Sequence, residues 1–72
     1  MVIIAATNVG NNSASIEFLC NIEKKEAKFR VRAFVDSFYT NKEYVEFADA
    51  VDEYKRLAAM VDETQKGVDD NA

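Results

Sequence analysis

The chain has no histidine, no proline and a single cysteine in its 72 residues. Without histidine there is no side chain whose ordinary pKa lies near neutrality, so the usual proton shuttle is missing. The one cysteine, Cys20, excludes an internal disulfide and, in the absence of histidine, a zinc site. Catalysis would have to rest on carboxylates, lysines, tyrosines or serines alone. Asp69-Asp70-Asn71 lacks the spacing and glycine of a calcium loop. The sequence therefore predicts a protein that is not an enzyme, uses no cofactor and holds no metal. Long hydrophobic runs are also missing. Met1–Ala6 is apolar but short, has no charged leader and is followed by Thr7-Asn8. It predicts neither a signal peptide nor a membrane span. With one cysteine, the expected setting is cytoplasmic and reducing.

What is present is enough for one small domain. Hydrophobic residues make up 49% of the chain, too many for intrinsic disorder. A chain of this length buries only ~60% of its unfolded surface, so its core is thin and some apolar surface is expected to meet a partner or a second copy. The reading is one domain over 1–66 with a flexible acidic tail over 67–72.

Residues 2–9 form an apolar run closed by the turn signal Gly10-Asn11-Asn12-Ser13. From Ala14 the pattern alternates, with Ala14, Ile16, Phe18, Cys20 and Ile22 on one side. Glu23-Lys24-Lys25-Glu26 interrupts it, and it resumes through Ala27, Phe29, Val31, Ala33 and Val35. This predicts a three-stranded antiparallel meander over 2–9, 14–23 and 27–36. A Lys24-Lys25 loop sets Phe18 against Val31 and Glu17 against Arg32, whereas a four-residue loop keeps the same facing in another register. An Asn11-Asn12 loop puts Ile3, Ala5, Thr7 and Val9 on the core side. Cys20, also inward, reads as an inert packed thiol.

Thr40 followed by Glu43 fits a capping box, which predicts one amphipathic helix over 41–65. At 100° per residue Tyr44, Phe47, Ala50, Val51, Tyr54, Leu57, Ala58 and Val61 share one arc, which should cover the sheet. Gly67 marks a stop. The predicted class is α+β.

Charge is unevenly spread. Residues 41–72 carry nine acidic and four basic side chains, against four acidic and five basic before them. Glu46, Asp49, Asp52 and Glu53 lie on the outward side of the predicted helix with Arg56 and Met60, and Asp52–Arg56 is the well-placed ion pair. A charge run of this kind is commonly a solvated face. Read functionally, it is a surface for a partner protein with a basic groove. The second candidate is the outer sheet face, where Ile4, Leu19, Arg30, Arg32 and Phe34 form an apolar patch edged by arginine, suited to a homodimer. Direct nucleic-acid binding through Lys28-Phe29-Arg30-Val31-Arg32 is disfavoured, because Phe29 points inward and the net charge is −4.

In size, acidity and absence of motifs the chain resembles the small proteins that phages and other mobile elements use to block host machinery, anti-CRISPR proteins among them. The likeness is one of profile. It implies a non-enzymatic inhibitor or regulator that occupies a basic surface of a nucleic-acid-processing protein and so evades host defence. The alternative is a small assembly subunit that self-associates through its sheet.

Overall fold

Alternating strands, tight turns and one amphipathic stripe assemble into a four-stranded antiparallel sheet covered by a helix. The computed structural model describes the backbone of residues 2–70 and the side chains through Thr64. The strands are β1 (Val2–Val9), β2 (Asn12–Asn21), β3 (Glu26–Val35) and β4 (Phe38–Tyr44), and the helix is α1 (Phe47–Asp70). Spatial order follows chain order, so β1 and β4 are the edges.

The α+β class stands, but the meander has four strands rather than three. The fourth arises at Asp36-Ser37, whose φ angles of 51° and 69° are both left-handed. Two consecutive positive φ values make the primed turn that returns a strand on its neighbour, and Val35 pairs with Phe38 across it. The Asp36 amide donates to Asn12 Oδ1 at 3.0 Å, which ties this turn to β2. Thr40 and Glu43 are therefore not a helix cap. They lie in β4, opposite Ala33 and Arg30. The helix begins at Phe47, with the Glu46 carbonyl accepting the Ala50 amide at 3.3 Å and Asp49 in the positive first turn. It then continues through Gly67 to Asp70, past the stop expected there. Residues 71–72 of the expected tail lie outside the described residues.

The turns also adjust the registers. Gly10, with φ 60°, and Asn11 form the first loop in place of Asn11-Asn12. Ile22–Lys25 is a four-residue loop closed by the Lys25 amide on the Ile22 carbonyl and by Asn21 Oδ1 on the Lys24 amide. Phe18 accordingly faces Phe29, and Glu17 faces Arg30 rather than Arg32. In β1 the pairing slips between Ile3 and Ala5. Such a bulge turns the residues before it to the other face, so Ile3 stands opposite Glu17 instead of joining Ala5, Thr7 and Val9 over the core.

The core joins Ala14, Ile16, Val31, Ala33 and Val35 of the sheet to Ala50, Leu57 and Val61 of α1. Phe47 packs against Phe29 with ring centroids 5.1 Å apart and planes tilted by 52°, at the start of the helix. Beyond that point the β2–β3 hairpin is uncovered. Cys20 is consequently exposed rather than packed, and Ile22 is 85% exposed. Among the described residues, no helix is long and apolar enough to cross a membrane.

Candidate functional site

Two surfaces remain once the core is closed, the acidic side of α1 and the uncovered face of the sheet. Period-two alternation dictates the second. Residues opposite in phase to Ile16 and Val31 point away from α1, and strand pairing sets them in rows across the sheet. One row runs Ile3, Glu17, Arg30, Glu43 from β1 to β4; the next runs Ala6, Ser15, Arg32, Asn41; a third ends in Phe34 and Tyr39. Leu19 pairs with Lys28 beside them, and Ile4 sits in the bulge. Leu19, Arg30, Arg32 and Phe34 of the sequence-predicted patch thus share one face in different rows, while Ile4, unpaired in the bulge, belongs to no row.

Its centre is a residue that sequence reasoning treated only as half of a cross-strand pair. Glu17 is completely buried, although it points to the sheet face turned away from α1. Arg32 Nη2 reaches it diagonally, 2.5 Å from Oε1. Neither carboxylate oxygen receives a well-directed hydrogen bond, and the buried Nε of Arg30 has no acceptor. Arg30 Nη2 instead leans 3.6 Å from Glu43 Oε2, and the other oxygen of that carboxylate, Oε1, lies 3.9 Å from Lys28 Nζ. Cations and anions alternate across this face and largely neutralise one another. Around them stand Ile3, Ile4, Phe34 and Tyr39, all exposed.

The acidic side of α1 divides in two. Glu53 was expected to face outward. Its side chain is only 13% exposed, because β4 runs alongside and supplies partners. Tyr44 OH donates to Oε2 at 3.1 Å, Lys42 Nζ lies 3.5 Å from the same oxygen, and Arg56 Nε donates to Oε1 at 2.7 Å. Burial pushes the Glu53 carboxyl up, but the hydrogen bonds from Arg56 and Tyr44 and the charges of Arg56 and Lys42 outweigh it and hold the group below the ordinary range. Burial, with the hydrogen bond to Glu53, pushes the Tyr44 phenol up.

Arg56 therefore pairs with Glu53, not with Asp52, and its Nη1 also lies 3.8 Å from Met60 Sδ. Glu46, Asp49 and Asp52 are exposed, and no ion pair among the described residues includes them. Asp49, Asp52, Glu53, Arg56 and Tyr44 border one shallow depression. Among the described residues no three acidic or thiol groups converge in metal-holding geometry. Compared with known protein families, curated proteins and solved structures, the chain matches none.

Proposed function

We propose that this chain works by binding, as a non-enzymatic inhibitor or regulator that presents the acidic side of α1 to a basic surface of a nucleic-acid-processing protein. One observation carries the reading. Lys28, Arg30, Arg32, Lys42 and Arg56 are all engaged by carboxylates of the same molecule, while Glu46, Asp49 and Asp52 have no such partner. Among the described residues, unpaired charge of both signs also stands in the β2–β3 loop and at Lys55, Asp62 and Glu63, but three unpaired acids lie together at the start of α1. Exposed charge of one sign on a rigid element steers encounter with the opposite sign and confers specificity. Phage or mobile-element origin and an anti-CRISPR-like role in host defence evasion belong to this reading, as does a reducing cytoplasm. The contact set is Glu46, Asp49 and Asp52 with Arg56 and Met60 at its margin; Glu53 contributes by positioning Arg56.

Tagged wild-type protein and the double variant Asp49→Lys, Asp52→Lys should be compared as baits in lysate at increasing salt. A nucleic-acid enzyme retained by the wild type, released by salt and missed by the variant supports the reading. Equal capture by both baits overturns it.

A second reading, a small assembly subunit that self-associates, is favoured by the uncovered sheet face. Glu17 is buried there and so is the Nε of half-buried Arg30, both with hydrogen-bonding capacity left over, beside exposed Ile3, Phe34 and Tyr39. Apolar groups mixed with arginine are a common composition for protein interfaces.

A further inference from the structure

The two edges of the sheet are not equivalent. β1 is broken by its bulge near Ile4, which bends a strand and spoils it as a template. All seven residues of β4 pair without a break against Phe29–Val35, and the other side of β4 meets no strand. Phe38–Tyr44 contains neither proline nor bulge, and the charges of its Lys42 and Glu43 are already met by Glu53 and by Lys28 and Arg30. α1 lies chiefly over β2 and β3 and touches β4 least. A groove of about 240 Å³ is left along β4, bordered by Phe38, Lys42, Arg56, Leu57 and Met60. Phe38 stands 68% exposed at its rim and Tyr39 57% exposed on the opposite face.

We propose that β4 is a homodimerisation edge, on which two copies pair antiparallel about Asn41 to form one continuous eight-stranded sheet. Register selects this pairing. Two identical antiparallel strands in one sheet are related by an axis normal to it, so each face must meet the same face and the axis must pass through a residue. With Asn41 on the axis all seven residues pair. Phe38 meets Tyr44 of the second copy, Tyr39 meets Glu43, Thr40 meets Lys42, and Asn41 meets itself. No like charges oppose one another, and the exposed Phe38 gains an aromatic cross-strand partner twice over. Moving the axis to Lys42 sets two ammonium groups face to face and leaves five residues paired. Moving it to Thr40 also leaves five and excludes Tyr44. This inference is independent of the acidic-helix reading and names a different surface from the sheet face.

The test is sedimentation equilibrium on wild type, Asn41→Asp, Asn41→Lys, an equimolar mixture of these two, and Leu19→Lys as a control on the open face. The wild type should dimerise. Each Asn41 variant should raise the dissociation constant about fivefold, because like charges then oppose across the axis, and mixing the two should restore association through an Asp–Lys pair. Leu19→Lys should leave the dimer unchanged. A wild type that stays monomeric at millimolar concentration overturns the proposal. So does a dimer indifferent to both Asn41 variants, a loss that mixing does not repair, or a dimer broken by Leu19→Lys. Hydrogen exchange on the wild type gives an answer free of any folding defect in the variants. The outward-facing amides of β4 should be protected at high concentration and exchange on dilution, and protection that ignores concentration overturns the edge as the interface.

Discussion

Glu17 and Glu53 show two fates of a carboxylate taken out of water. Glu53 sits among Lys42, Tyr44 and Arg56 and is well supplied with donors. Glu17 is more deeply buried yet has one guanidinium against it and no well-directed hydrogen bond. The depressed pKa of Glu53 has a definite sign in stability. The unfolded chain takes up its proton first, so the contribution is present above the ordinary value of 4.5 and is lost as pH falls through the lower folded value. Both cations are more than half exposed, which keeps the contribution small, about 1 kcal/mol. Glu53→Gln should therefore lower stability by that amount at pH 7, and the gap from wild type should close toward pH 3. Urea unfolding at the two pH values checks it, and an equal gap at both would refute the assignment.

At the scale of elements, the hairpin at Asp36-Ser37 decides the topology. A serine at φ 69° is strained, and glycine adopts that conformation without a clash of Cβ. Ser37→Gly should stabilise the protein by about 0.5–1 kcal/mol, read as a higher urea midpoint at unchanged slope. The same hairpin marks where the sequence ceased to be legible. β1, β2 and β3 declare themselves by alternation, and the Lys24-Lys25 region leaves only the loop length open. In β4 the residues facing α1 are Phe38, Thr40, Lys42 and Tyr44, so polar groups occupy the middle of what would be an apolar side. Thr40 and Glu43 meanwhile stand at capping-box spacing. Local chemistry favoured a helix there, and pairing with β3 prevailed. The acidic site inherited this error. Asp49 and Asp52 were legible as outward residues because they depend on α1 alone. Glu53 was not, because its partners Lys42 and Tyr44 come from the strand that periodicity concealed. Glu17 could be assigned an arginine from sequence, but its complete burial depends on the neighbours that four strands bring to it.

For the molecule as a whole the core is narrow. Among the described residues three of the eight buried apolar ones are alanines, which leaves Ile16, Val31, Val35, Leu57 and Val61 to supply most of the buried volume. Leu57→Ala should cost about 3 kcal/mol and lower the melting temperature by roughly 15 °C, as measured by circular dichroism. Charge is unevenly distributed at this scale too, with Lys28, Arg30, Arg32 and Lys42 of the sheet paired to carboxylates and three unpaired acids at the head of the helix. The bulge near Ile4 has a consequence for what the sheet can build. A sheet with two open edges is bifunctional, like a monomer with two reactive ends, and edge-to-edge addition can propagate into a fibre. On the pairing proposed above, with β1 bulged and β4 unbroken, this sheet is monovalent: the strand that joins β4 completes a finite object, and growth ends there.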